Sequence, residues 1–266
     1  MGPCSWLIYV NDLRVEGFSC VKYTDDTTFY TNVLDNSFGD MISSAVEAAN
    51  SWASANNMLL NTDKTVLENS TSSRKHKYNK EILVYGTKIL PSNHMKFLGV
   101  YIDNRLNFSL QVANVVPMRD SRLFLMRQLK SLGLNNAGLV TFYMTNVRSV
   151  VTYASPAWFS LLSDFSKNEL EKVQRSATRI VLPHCSYEEH LKILELSYLY
   201  DFIVCLSKTH FIKILHNPSH PLFKRLVFNN SRTPICRPNT FRTAKAKTAA
   251  YTNSFFKSQM KLFNNS

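Results

Sequence analysis

Two adjacent carboxylates, Asp25 and Asp26, are the residues of this 266-residue chain whose types and spacing point most directly to chemistry. β-Branched and aromatic residues flank them on both sides, and Asp favours turns, so the sequence predicts a β-hairpin with the two acids at its tip. Neighbouring carboxylates repel each other unless a cation neutralises them, and Mg²⁺ prefers carboxylate and phosphate oxygens. For the dipeptide alone, an ordinary solvated Asp-Asp turn is the favoured alternative.

The residues around the pair, Tyr23-Thr24-Asp25-Asp26-Thr27, resemble the Tyr-x-Asp-Asp box of reverse transcriptases. The similarity is to the Tyr-Ala-Asp-Asp-Thr form of non-LTR, LINE-type retrotransposons. Residues 2–13 (GPCSWLIYVNDL) resemble that family's Gly-Pro-x-x-Phe-Leu-Ile-Tyr-Ile-Asn-Asp-Leu segment without a gap. Further matches follow in the family's order along the whole chain: Trp52-x-x-x-Asn56 with residues 60–65 (LNTDKT), then residues 97–103, 153–158, 170–175 and 251–256.

The resemblance implies an RNA-directed DNA polymerase that uses Mg²⁺ and acts on an RNA template and a DNA primer or duplex. It assigns Asp25 as the principal metal ligand and Asp26 as its partner. Lys64 would protonate the pyrophosphate leaving group or hold a phosphate, although without the family context it is an ordinary surface lysine of a turn.

Two further groups of residues are assigned to nucleic-acid binding by the same resemblance. Phe97, Leu98 and Gly99 would support the primer terminus, while a buried strand with glycine at a close backbone approach explains the same residues. Lys172, Arg175 and Arg179 share one face of a predicted helix and would follow a duplex backbone. A solvated helix face is an equally good explanation of these three cations.

In the family, a fingers region and a strand with another catalytic aspartate precede the Gly-Pro segment. This sequence begins at Met1-Gly2-Pro3, so we expect a C-terminal fragment of the enzyme that is inactive by itself. Two alternatives remain open: a non-catalytic nucleic-acid-binding module, and a decayed element fragment without function.

The net charge of +12 is concentrated at the C-terminus. Residues 217–266 contain nine Lys or Arg and no Asp or Glu, while the preceding residues are nearly balanced. Neutralising phosphates releases counterions and drives binding, so this basic tail is a candidate nucleic-acid surface. A solvated basic extension is the alternative.

The five cysteines form no C-x-x-C pair, and their number is odd. This spacing indicates neither a disulfide framework nor a zinc site. The sequence has no signal peptide and no long uncharged apolar run, so we expect an intracellular protein of the cytoplasm or nucleus without a membrane partner. The sequence makes no prediction about the oligomeric state.

Hydrophobic periodicity predicts an α+β fold. It places a helix over 36–57, a loop over 69–80 and strands over 82–85 and 95–102, and the resemblance implies that residues 1–103 form part of a polymerase palm. Residues 104–216 would form a thumb-like helical bundle, and 217–266 the basic tail. The helices of the bundle are predicted over 118–132 and 137–153. A third helix would begin at a capping box at Ser166–Glu169, and a further helical stretch would run from a second capping box at Ser186–Glu189 to about His216.

Overall fold

The computed structural model of the chain describes residues 3–32, 38–70, 81–226, 228, 241–242 and 248–265. The fold is a mixture of helices and short, mostly antiparallel two-stranded sheets, which agrees with the predicted α+β class. The chain divides into two compact units, Met1–Met95 and Lys96–Ser266. No helix in these described ranges is both long and apolar enough to cross a bilayer.

The first unit contains short strands and one long helix. Its elements are α1 (Pro3–Tyr9), β1 (Ser19–Tyr23), β2 (Asp26–Tyr30), α2 (Phe38–Ala55), β3 (Leu67–Glu68), β4 (Ile82–Val84), β5 (Thr87–Ile89) and β6 (Pro91–Ser92). β1 pairs with β2 and β4 with β5, both antiparallel, whereas β3 and β6 run parallel.

The core of the first unit forms where α2 covers the β4–β5 hairpin. Ile42 of α2 is buried with Ile82 and Val84 of β4. The apolar spacing predicted a helix over 36–57, and the structure has α2 there. In the described residues, α2 ends two residues before the predicted end. The predicted loop over 69–80 lies mostly outside the described residues.

A third hairpin leads into the second unit. It consists of β7 (His94–Phe97) and β8 (Val100–Asp103), joined by a two-residue loop. Leu98 and Gly99 in that loop have φ values of 46° and 82°. Positive φ at both loop residues is the geometry of a type I′ turn, which suits the twist of a hairpin. The prediction of one continuous strand over 95–102 is therefore wrong.

Helices make up the rest of the second unit. They are α3 (Ser109–Ser131), α4 (Asn136–Phe142), a π-helical segment (Tyr143–Arg148), α5 (Ser149–Val151), α6 (Ser155–Trp158), α7 (Asp164–Val181), α8 (Tyr187–Ile193), α9 (Leu199–Leu215), α10 (Ala249–Thr252) and α11 (Phe255–Asn265). Two short 3₁₀ segments, Phe159–Leu161 and Phe223–Arg225, complete the described elements.

The main core of this unit lies where α3 packs along α7 and α6 packs on α9. Leu123 and Met126 of α3 and Leu170 of α7 are almost completely buried there, together with Trp158 and Ile203.

Two helix starts differ from the prediction. α3 begins at Ser109 and not at residue 118, because Pro117 is accommodated inside the helix and does not open it. α7 begins at Asp164, and its N-cap is Ser163, whose hydroxyl accepts from the backbone N–H of Ser166. The predicted capping box at Ser166–Glu169 is therefore wrong. The capping box at Ser186 and Glu189 is confirmed, although the helix it opens, α8, ends before α9 begins.

The C-terminal residues build a second core on α9 and are not simply a solvated extension. Phe211 and Ile214 of α9 are buried against Leu226, Phe241 and Met260. The side-chain amide of Asn264 also donates to the carbonyl of Phe241 over 2.9 Å and accepts from its N–H. The described part of the predicted tail is therefore folded.

Candidate functional site

The two predicted metal ligands lie at the tip of the β1–β2 hairpin. The register pairs Tyr23 with Asp26, so Thr24 and Asp25 form the two-residue loop and Asp26 is the first residue of β2. Thr24 has a φ of 52°, the left-handed conformation that such hairpin loops need at their first position. This register confirms the hairpin that was predicted from the flanking residues, with the two acids at its tip. Both carboxylates are exposed.

Local hydrogen bonding stabilises the charged form of Asp25. The hydroxyl of Thr24 lies 2.8 Å from Oδ1 of Asp25, and its donation to that oxygen is the main reason why the pKa of the carboxyl is lowered. The residue's own backbone N–H and, as the smallest cause, the positive charge of Lys64 lower the pKa further. The Thr24 hydroxyl also lies 2.7 Å from the carbonyl of Tyr23, which competes for its single proton.

The segment before the hairpin is bonded to it through side chains. Trp6 donates from Nε1 to the carbonyl of Thr24 over 2.7 Å, and Lys22 donates to the carbonyl of Val10 over 2.5 Å. The first bond holds the backbone of the hairpin loop against α1. The structure therefore joins two of the segments that carry the family resemblance.

A third such segment is joined to the first by Trp52 and Asn56. Trp52 donates from Nε1 to Oδ1 of Asp12 over 3.1 Å, and Tyr9 donates its hydroxyl to the carbonyl of Asn56 over 2.8 Å. Asn56 itself donates back to the carbonyl of Trp52 at the end of α2. The side chain of Trp52 and the backbone carbonyl of Asn56 thus both bond to the α1 segment, while the Asn56 side chain bonds within the end of α2.

Lys64 is exposed in the turn after α2. Its charge acts on the Asp25 carboxylate, yet the ion pairs within 4.0 Å among the described residues do not include this pair.

The hairpin tip fits part of a Mg²⁺ site. Mg²⁺ is commonly bound through one or two carboxylates, with waters and substrate phosphates as its other ligands, and two consecutive exposed carboxylates suit that role. Among the described residues, no three His, Cys, Asp or Glu side chains form a group that could hold a metal. Within the described part of the chain, the hairpin tip thus offers two carboxylate donors, Asp25 and Asp26.

The residues predicted to support a primer terminus lie at the β7–β8 hairpin. Phe97 ends β7, while Leu98 and Gly99 form the loop and not the middle of a strand. Tyr153 donates its hydroxyl to the carbonyl of Leu98 over 2.8 Å. A Cβ on Gly99 would lie 3.4 Å from the Tyr153 ring, an ordinary van der Waals distance, so the positive φ and not a close approach favours glycine here.

The three predicted phosphate contacts of α7 lie on its exposed face, opposite the core. Two of them already have partners: Lys172 forms an ion pair with Glu169 over 2.5 Å, and the guanidinium of Arg175 lies 4.8 Å from the ring centroid of Tyr187. Arg179 forms neither kind of contact within the described part of the chain, so it is the cation of the three most available to a phosphate.

A buried polar network on the other side of α7 was missed by sequence reasoning. Gln174 accepts from the Tyr143 hydroxyl over 2.7 Å and donates to the Tyr187 hydroxyl and to the carbonyl of Ser197. Burial raises the pKa of Tyr143 far above its ordinary value. The available signal was Gln174 itself, a polar residue that shares the apolar face of α7 with Leu170 and Ala177.

No protein-family model, curated protein or solved structure matches this chain.

Proposed function

We propose that this chain is the Asp-Asp-box and thumb portion of a non-LTR-type reverse transcriptase, which binds Mg²⁺ at the β1–β2 hairpin and an RNA–DNA duplex elsewhere on its surface. The observation that carries the proposal is the hairpin itself: its register puts Asp25 in the loop and Asp26 beside it, with both carboxylates exposed. The bonds that connect this hairpin through α1 to Trp52 and Asn56 support it, because they involve the same segments as the resemblance.

In this proposal Asp25 and Asp26 hold the metal, and Lys64 holds a phosphate of the nucleotide or of the leaving pyrophosphate. When bound, Mg²⁺ would supply charge stabilisation for an in-line phosphoryl displacement. The hydrogen bond from Thr24 favours the charged form of Asp25, the form in which a carboxylate binds a metal, and directs one carboxylate oxygen. The other oxygen of Asp25 and both oxygens of Asp26 are then available to the metal.

Primer extension tests the enzymatic part of the proposal. The 266 residues contain the Asp-Asp box but not the family's other catalytic aspartate, so we expect the purified chain to extend no DNA primer on an RNA template with Mg²⁺ or Mn²⁺. Extension that is abolished by Asp25→Asn would show that these residues already form a complete polymerase.

Metal-dependent duplex binding tests the site without requiring turnover. Mn²⁺ should tighten binding of an RNA–DNA duplex to the wild-type chain more than to the Asp25→Asn, Asp26→Asn variant. The matched control, Asp40→Asn with Glu47→Gln, removes two exposed acids of α2 and should respond to Mn²⁺ as the wild type does. An equal response of all three proteins would contradict a metal role for the hairpin.

A non-catalytic nucleic-acid-binding module is the second candidate function. It is favoured by the acid-free residues 217–266 and by Arg179 on the exposed face of α7. In that case the chain binds duplex with the same affinity whether or not the two aspartates and the metal are present.

A further inference from the structure

A partly open cavity of about 340 Å³ lies entirely within the second unit, between the β7–β8 hairpin, α3, and α5 with the following Tyr153. Ligand pockets commonly have volumes of roughly 300 Å³ or more. The side chains that matter for its chemistry are Tyr101, Gln111, Asn114, Met118, Ser149 and Tyr153. These six residues have no role in the function proposed above, although Gly99, which the family resemblance assigns to the primer terminus, also lines the cavity.

Gln111 provides an unused hydrogen-bond donor at this cavity. The residue is 2% exposed, and its Oε1 accepts from the backbone N–H of Tyr101 over 2.9 Å. Its amide Nε2 donates to no group in the described part of the chain. A ligand in the cavity that carries an acceptor can therefore take this hydrogen bond.

Asn114 lies one turn further along the same face of α3. Its Nδ2 donates to the carbonyl of Leu110 over 2.8 Å, so its Oδ1 can accept from a ligand. The cavity therefore has a donor and an acceptor on one wall, with the aromatic Tyr101 and Tyr153 and the apolar Met118 also in its lining. Every nucleobase has neighbouring donor and acceptor groups on its Watson–Crick edge and an apolar face that stacks on aromatic rings.

A positive charge lies beside the same cavity. The ammonium of Lys96 is 5.5 Å from the ring centroid of Tyr101. Lys96 is exposed, so it can contact a phosphate while the base attached to that phosphate occupies the cavity.

We infer that this cavity binds one unpaired nucleobase, with Gln111 and Asn114 on its Watson–Crick edge and Lys96 on the adjoining phosphate. The base can belong to a single strand or to a free nucleotide. Binding of a base in a single strand rests on the proposed function, whereas binding of a free nucleotide does not.

Binding of single-stranded oligonucleotides tests the inference. A base-bearing strand and an abasic strand of the same length have the same phosphates, so the difference between their affinities reports base binding alone. Base–aromatic stacking predicts that the wild-type chain binds the base-bearing strand about tenfold more tightly.

Ser149→Phe should fill the cavity and remove that difference, because Ser149 is an exposed helical residue at its edge. Asn114→Ala should reduce the difference by removing the acceptor, and it serves as the second variant if Ser149→Phe does not fold. The matched control is Ser131→Phe, at another exposed serine whose hydroxyl bonds to a carbonyl of its own helix; it should keep the full difference. A difference that is absent from the wild type, or that persists in both cavity variants, would overturn the inference.

Deoxyadenosine monophosphate distinguishes the two sources and separates this inference from the proposed function. Binding of the abasic strand measures the phosphate contacts of the proposed function and does not depend on the cavity. If the chain binds neither strand, binding of the monophosphate to the wild type and not to Ser149→Phe would support a free-nucleotide site. In that case, failure of the wild type to bind the monophosphate would overturn the inference.

Discussion

At the residue scale, the position that most determines the packing of α7 is Gln174. Its amide is completely buried, and its oxygen and nitrogen together bond to Tyr143, Tyr187 and Ser197. The hydroxyl of Tyr187 in turn donates to Glu171, whose carboxylate also accepts from the first backbone N–H groups of α9. This chain of bonds links the π-helical segment, α7 and α9.

Gln174→Leu should therefore be strongly destabilising although leucine has nearly the same size. The substitution leaves a buried tyrosine hydroxyl and a carbonyl without partners, which predicts a loss of about 3 kcal/mol in the free energy of unfolding. Gln128→Leu on the exposed side of α3 is the matched control and should change stability by no more than about 0.5 kcal/mol. Urea unfolding measures both, and similar values for the two variants would contradict the network's role.

Thr24→Val should raise the pKa of Asp25 towards its ordinary value of 3.8, because it removes the hydroxyl that donates to the carboxylate. A lowered pKa in the folded state contributes stability above the unfolded pKa, and that contribution is lost as the pH falls through the folded pKa. The valine variant should thus lose less stability on acidification than the wild type. NMR titration of the Asp25 carboxyl checks the pKa, with Thr24→Ser, which keeps the hydroxyl, expected to retain the low value.

At the element scale, the start of α7 depends on Ser163 and not on the serine that its sequence pattern suggested. The Ser163 hydroxyl accepts from the N–H of Ser166 and donates to the Ser166 hydroxyl, which is buried. The Ser-x-x-Glu pattern at Ser166–Glu169 thus begins inside the first turn of the helix and does not precede it.

Ser163→Ala should cost about 1 kcal/mol of stability, the usual loss for an N-cap serine. Ser166→Ala, which removes no cap, should cost clearly less. Thermal unfolding of the two variants side by side provides the measurement. A larger loss for Ser166→Ala would restore the capping box that the sequence predicted.

The sequence predicted well those elements that local chemistry determines. The β1–β2 hairpin follows from β-branched residues around an Asp turn, and α2 follows from an apolar face at helical spacing. The β7–β8 hairpin was missed because its loop puts Leu98 in a left-handed conformation, which local preference disfavours. A distant residue, Tyr153, bonds to that loop, and no pattern near residue 98 indicates this partner.

The candidate cavity was missed for the same reason. Gln111 and Asn114 share a helix face in the sequence, but only the packing of β8 and the segment around Ser149 makes that face a wall of a cavity. The aspartate pair, by contrast, was predictable because both members are adjacent in the chain.

At the scale of the whole molecule, positive charge and folded structure occupy the same C-terminal residues. Leu226, Phe241 and Met260 are buried against α9, while Lys224, Arg225 and Lys261 remain exposed. Deleting residues 217–266 would therefore expose the second core as well as remove charge. Substituting exposed cations separates these two effects.

The triple variant Lys224→Gln, Arg225→Gln and Lys261→Gln should bind duplex with a weaker salt dependence than the wild type. Counterion release predicts that the log–log slope becomes shallower by about 0.9 for each phosphate that the variant no longer neutralises. The control variant, Arg105→Gln, Arg127→Gln and Lys192→Gln, removes the same charge from exposed positions elsewhere. Its log–log salt slope should stay closer to that of the wild type. Equal slopes for the two triple variants would mean that the C-terminal charge has no special role in binding nucleic acid.

The central claim, that the β1–β2 hairpin is a metal-binding Asp-Asp box, is tested most directly by NMR of the chain with added Mn²⁺. Paramagnetic broadening should appear first at Asp25, Asp26 and their neighbours in the hairpin loop, and Mg²⁺ should reverse it. In the Asp25→Asn, Asp26→Asn variant the hairpin signals should stay sharp at the same Mn²⁺ concentration. Broadening that avoids residues 23–27, or that persists in the variant, would contradict the claim.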